Sequence, residues 1–156
     1  MKSLERAAYS NGRPNRLGRV MNAANYWWAR LSPVLTFNEI AIEAPGRTSG
    51  KQRRAVVLVA DHEGQRYIVS MLGERCDWLR NIRANGYRAD LRRRRARIPL
   101  RFFEVPEQER APIIRAWAKR AVGGRHMLEV DVDAPLSEFE AIAPRVPVLR
   151  FEEARA

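Results

Sequence analysis

Pro45-Gly46-Arg47-Thr48-Ser49-Gly50-Lys51-Gln52-Arg53-Arg54 stands between two runs that read as strands, Val34 to Ala44 before it and Arg54 to Ala60 after it. Two glycines bracket two hydroxyl side chains, with basic groups at both ends. Glycine lets a backbone bend sharply and lets a ligand approach it closely. Turned backbone N–H groups and hydroxyls form an anion-binding concavity, which flanking Arg and Lys strengthen. The stretch reads as a turn built to hold a phosphate or carboxylate. The competing reading is a strand connection that is polar only because it is exposed, since the same residues are good turn formers. A P-loop is excluded. Walker A needs four residues between its glycines, a Ser or Thr after the Lys, and a strand-to-helix turn. Here three residues separate Gly46 from Gly50, Gln52 follows Lys51, and the chain continues as a strand.

Working outward, Ala55-Val56-Val57-Leu58-Val59-Ala60 is a continuous apolar strand, and Asp61-His62-Glu63-Gly64 turns it into a second strand, Arg66 to Leu72. Gly73 breaks that strand. Arg75 to Asn85 reads as a short helix with Trp78, Leu79 and Ile82 apolar, stopped by Gly86. Two more strands follow, Tyr87 to Arg92 and Ala96 to Val105, the latter alternating through Ile98, Leu100 and Phe102. Pro106 opens a helix with acids in its first turn and Lys119 and Arg120 in its last, as the helix dipole favours. Residues 125–144 are irregular apart from a short helix at Ser137 to Ile142, and Val146 to Phe151 reads as a last strand in which Pro147 suits an edge or a strand start. On the N-terminal side, residues 1–13 read as a polar, flexible arm. Leu17, Met21, Ala24, Trp28 and Leu31 then mark one face of a helix running from Pro14 to Leu31. Strands arriving in adjacent hairpins rather than in βαβ order imply one domain over 14–156, α+β or mainly β: an antiparallel sheet or small barrel with flanking helices.

The 156 residues suffice for a proper core, and a hydrophobic fraction of 46% excludes wholesale disorder. Basic residues number 29 against 18 acidic, a formal charge of +11, and only Lys2, Lys51 and Lys119 among them are lysines. A bias to Arg suits anion recognition, because the guanidinium fork matches phosphate and carboxylate. Cys76 is the single cysteine, which rules out an internal disulfide and fits a reducing compartment. No apolar run approaches the ~18 residues of a membrane span, and the N-terminus lacks a signal-peptide core. The expected location is cytoplasmic.

The order of motifs resembles the deazaflavin-dependent nitroreductase family, a branch of the split β-barrel flavin and deazaflavin oxidoreductases. Gly46-Arg47-Thr48-Ser49-Gly50-Lys51-Gln52-Arg53 matches the family's Gly-Arg-x-Ser/Thr-Gly-x-x-Arg. The next hairpin ends in Ser70 and Gly73, and Trp78-Leu79-Arg80-Asn81-Ile82-Arg83-Ala84-Asn85 matches its Trp-x-x-Asn-Leu-x-Ala-Asn segment. The resemblance implies a split barrel that binds coenzyme F420, a deazaflavin with a phosphodiester and glutamates in its tail. Arg47, Thr48, Ser49 and Arg53, with Gly50, Lys51 and Arg54 beside them, would hold the phosphate region. Ser70, Met71 and Gly73 would line the ring or its linker, with Trp78 and Asn81 along the same cleft. Trp28 and Tyr26 are the candidate substrate contacts. Met71-Leu72-Gly73 stand where the family carries a basic or small residue and a Gly-Gly pair, and no tyrosine follows Tyr87, so nitroimidazole reduction is not expected.

The expected chemistry is hydride transfer from the reduced deazaflavin to an electron-poor small molecule such as a quinone, enone or nitro compound, with FMN as the alternative cofactor. No catalytic side chain is assigned and no metal site is expected, His62 and His126 lacking ligand partners at useful spacing. In cofactor enzymes the protein supplies binding, orientation and electrostatics. Two other classes compete. One is a non-catalytic carrier of FMN, haem or a fatty acid on the same barrel. The other is a basic nucleic-acid module using Arg92-Arg93-Arg94-Arg95, Arg97 and Arg101 with Phe102 and Phe103, although no specific nucleic-acid motif is present. The same arginine run could instead meet the coenzyme's acidic tail, or simply be a solvated hairpin tip. A peripheral membrane contact through the basic, aromatic N-terminal helix and a homodimer complete the expected partners.

Overall fold

The computed structural model describes residues 9–10, 13–14, 39–121 and 125–154. Six strands close into one antiparallel barrel: β3 (Glu39–Pro45), β4 (Gln52–His62), β5 (Gln65–Val69), β6 (Arg88–Arg93), β7 (Ala96–Glu104) and β8 (Val148–Glu153), in the spatial order β3-β4-β5-β8-β7-β6. A separate two-residue pair, β1 (Tyr9–Ser10) with β2 (Arg13–Pro14), precedes them. Pro14 lies in the second strand of this short hairpin, where its fixed φ and missing N–H are tolerated. The remainder of the expected helix to Leu31, with Tyr26 and Trp28, lies outside the described residues. Among the described residues three α-helices flank the barrel: α1 (Asp77–Ala84), α2 (Arg110–Arg120) and α3 (Leu136–Ile142).

Alternation along each strand builds the barrel. Ile42, Val57, Val59, Ile68, Leu91, Leu100, Phe102, Leu149 and Phe151 face inward. Phe102 and Phe151 pack with ring centroids 5.8 Å apart and planes tilted by 37°, within the range that aromatic pairs prefer. Leu79 and Ile82 of α1 join the same cluster and plug one end. The outer faces of β4, β5 and β8 present Ala60, Val69 and Val148, which Ile113, Ile114 and Trp117 of α2 and Phe139 of α3 cover. That is why β4 is apolar on both faces. The Trp117 indole N–H also donates to the Leu58 carbonyl at 3.3 Å.

Turns follow local chemistry. Glu63 and Gly64 both have positive φ, 49° and 73°, the geometry of a tight two-residue hairpin. Gly86 at φ 64° ends α1 as expected. Two boundaries differ from expectation. β5 stops at Val69 because Ser70 closes a turn on Gly73, and Pro147 is buried just before β8, a strand enclosed by β5 and β7 and not an edge.

Register decides which loops share an end. Pro45 pairs with Gln52, so the Gly46–Lys51 loop caps the β3–β4 hairpin. Ala41 pairs with Arg92 and Glu43 with Asp90, which puts the Arg93–Ala96 turn at the opposite end. Pairing of β4 with β5 runs only from His62↔Gln65 to Val59↔Ile68. The β3–β4 hairpin therefore extends beyond β5, and its tip stands beside the Ser70–Cys76 turn and α1.

Candidate functional site

The loop is held shut by its own backbone. Gly46 N–H donates to Lys51 O at 2.8 Å and Gly50 N–H to Gly46 O at 2.7 Å. Gly50 sits at φ 66°, a region costly for other residues. Gly46 is required for a different reason: a Cβ there would stand 3.1 Å from Cγ and Nε of Arg53 and 3.2 Å from the Lys51 carbonyl. The Arg53 side chain thus lies across Gly46, and its Nη2 donates to Ser49 Oγ at 3.4 Å. Thr48, Ser49, Gly50 and Lys51 form the exposed crest.

The basic side chains of this stretch divide into two groups. Arg54, one residue on from Arg53, points to the opposite face of β4 and donates through Nε to Glu43 at 2.9 Å. Arg47 is turned onto α1: Nη1 donates to Asn81 Oδ1 at 3.0 Å, its backbone N–H reaches the same oxygen at 3.2 Å, and Nη2 meets Asp77 at 2.9 Å. Among the described residues, Lys51 and Arg53 are ion-paired to no carboxylate. These two carry the loop's unneutralised charge.

The neighbouring turn is rigid. Ser70 is 1% exposed; its hydroxyl donates to the Gly73 carbonyl at 2.8 Å and its N–H to the Pro147 carbonyl at 2.9 Å. Gly73 has φ 75°, and a Cβ there would lie 3.1 Å from the Arg145 carbonyl. Met71 packs outward against the α2–α3 cluster, whereas Leu72 and Trp78, both half-buried, pack against the barrel interior. Cys76 is buried ahead of α1, and that burial pushes its thiol above the ordinary range. A raised thiol is a passive one.

Arg83 ties this end together. Its Nε donates to Glu104 at 2.6 Å and its Nη groups meet Glu74, while the Tyr87 phenol donates to Glu104 at 3.3 Å. The hydrogen bond from Arg83 holds the Glu74 carboxyl below the ordinary carboxylate range. A carboxyl lowered on folding contributes stability above its unfolded pKa and loses it as pH falls through the folded value. Acid titration of the urea midpoint is therefore expected to fall less steeply below about pH 4 in Glu74→Gln than in the parent protein. The effect will be small because Glu74 is more than half exposed. Identical curves would show that the pair contributes nothing to acid stability.

The arginine run lies elsewhere. About 13 Å of strand separates the Ala41↔Arg92 pair from Pro45, where the loop begins. Arg93, Arg94 and Arg95 are exposed at the far tip, and Arg92 and Arg97 turn to Glu43. Nor do the adjacent aromatics make a base-stacking surface. Phe102 is inside the barrel, and Arg101 and Arg150 stack on Phe103 with guanidinium carbons 5.2 and 4.3 Å from the ring centre.

Reasoning from sequence missed Asp77 and Glu43, the carboxylates that neutralise Arg47 and Arg54. Asp77 was findable: it precedes Asn81 by four residues, so both share the face of α1 turned to the loop. Glu43 left no signal beyond its place in an apolar strand.

A glycine cradle with two unneutralised cations beside a semi-apolar turn fits the anionic part of a nucleotide-like coenzyme. A search of curated proteins gave no match. Among solved structures, an F420-H2 dependent reductase (FDR-A) is 22% identical over 74% of this chain and 94% of that one, with a TM-score of 0.45. A conserved hypothetical protein, Rv2991 from Mycobacterium tuberculosis, is 11% identical over 94% of this chain and 85% of that one, with a TM-score of 0.52, a likeness of fold alone. The F420H(2)-dependent quinone reductase family matches residues 30–135, well over half the chain. The protein belongs to that family, and is an F420-dependent oxidoreductase built on a six-strand barrel.

Proposed function

We propose that the coenzyme's phosphate and acidic tail lie on the Gly46–Arg53 loop, that its ring end lies toward the Ser70–Gly73 turn and Trp78, and that the acceptor is a quinone-type small molecule. When bound, the reduced deazaflavin supplies the hydride. The observation that carries this reading is that Lys51 and Arg53 stand on a glycine cradle and, among the described residues, meet no carboxylate, while Arg47 and Arg54 are already paired. Lys51 and Arg53 offset the anion's charge, Thr48 and Ser49 offer hydroxyls, and Gly46 lets the Arg53 stem lie flat. The Ser70 hydroxyl, committed to the Gly73 carbonyl, holds the turn in shape beside the ring end. Trp78 excludes water along the cleft. Arg54 on the opposite face of β4 is left out of this set.

Titration with coenzyme F420 and with FMN at physiological salt, followed by cofactor fluorescence, tests it. Micromolar binding of the deazaflavin, FMN weaker, and oxidation of the reduced coenzyme by a simple quinone are expected. Binding of FMN alone, or neither, would overturn it and favour the carrier reading.

A further inference from the structure

We propose that Asn81 is a positioning residue, which acts through Arg47: its buried carboxamide oxygen clamps Arg47 to α1 and so holds the anion loop in its binding shape before any ligand arrives. This rests on the reading of the loop given above. Asn81 is 5% exposed, one of few polar side chains in the interior. A buried amide is costly unless satisfied, and here one oxygen accepts both the main-chain N–H and the Nη1 of the same residue, at 3.2 and 3.0 Å. That double contact fixes Arg47 at two points, backbone and guanidinium. Asp77, one turn earlier on the same helix face, takes Nη2 at 2.9 Å. The guanidinium is thus a cross-brace between loop and helix, and its charge is already neutralised.

The consequence is a division of labour. Arg47 sets the shape of the loop, and Lys51 and Arg53, ion-paired to no carboxylate among the described residues, meet the anion. A loop fixed in advance loses little conformational entropy on binding, so releasing the clamp should weaken the coenzyme's hold without touching a group that contacts it.

Amide hydrogen exchange on the coenzyme-free protein reads the clamp directly. Asn81→Leu keeps the side chain's branched shape and removes the acceptor; Arg47→Met removes the guanidinium half of the brace from the loop side. Asn81→Leu is expected to speed exchange of the Arg47 amide about tenfold, and each variant to weaken F420 binding about tenfold. Asn81→Asp, which keeps the acceptor, should restore both. In the double variant Asn81→Leu with Arg47→Met the losses should not add.

Unchanged exchange of the Arg47 amide in Asn81→Leu overturns the clamp. So does additive loss of affinity in the double variant, which would make Arg47 a ligand in its own right. Faster exchange with unchanged F420 affinity would uphold the clamp as a structural brace and instead overturn the placing of the coenzyme on this loop.

Discussion

Replacing Lys51 and Arg53 together with alanine is expected to weaken F420 binding by about a hundredfold or more, with no change in melting temperature. A hydrogen bond to a charged group contributes about 1.5–3 kcal/mol, so two of them correspond to at least about two decades in Kd. Folding stability should not follow, because neither side chain is ion-paired or buried among the described residues. The residual binding should also respond less to salt, since two charges that release counter-ions are gone. Fluorescence titration at two salt concentrations, with a thermal melt of the same preparation, decides it. Wild-type affinity in the folded double variant would remove the loop from the coenzyme site. The choice of residues matters: Arg54→Ala, on the opposite face of β4 and bonded to Glu43, should leave affinity within about threefold of the parent.

That contrast marks where sequence reasoning stops. Alternation at Ile98, Leu100 and Phe102, the Glu63-Gly64 turn and the Gly86 stop are short-range signals, and each appears in the structure where the residues put it. The glycine loop was equally legible: Gly50 takes a positive φ that favours glycine, and the Arg53 side chain passes close over Gly46. The fate of each arginine was not. Arg47, Arg53, Arg54 and Arg92 look alike in sequence, yet one is clamped to a helix, one lies free across the cradle, and two turn to a single carboxylate on the outer barrel face. Those outcomes depend on register, on the handing of one residue to one face and the next to the other, and on Asp77 and Glu43 arriving from elements the local pattern does not connect. The same limit holds for Ser70, whose hydroxyl bond to the Gly73 carbonyl no local pattern announces.

Glu43 is where this long-range bookkeeping has its largest consequence for stability. Its side chain is 4% exposed, yet it faces Arg54, Arg97 and Arg92 at 2.9, 3.3 and 3.5 Å. With Asp90 meeting Arg97 at 3.1 Å, two carboxylates answer three guanidiniums where β3, β4, β6 and β7 run side by side. Removing one partner of a buried ion pair leaves the other charges without an answer and costs about 3–5 kcal/mol. Arg54 and Arg97 are half exposed and can turn to water; Arg92 is 18% exposed and cannot do so freely. Glu43→Gln is therefore expected near the lower bound, about 3 kcal/mol, or roughly 6–12 °C in Tm for a chain of this size. Arg54→Ala should cost less than about 1 kcal/mol. The Gly46–Arg53 loop, the proposed coenzyme site, lies beyond this cluster on the same hairpin, so F420 affinity in folded Glu43→Gln at low temperature should match the parent. An unchanged Tm would mean that the three arginines find water as readily as they find the carboxylate, and that Glu43 adds nothing to the barrel's closure.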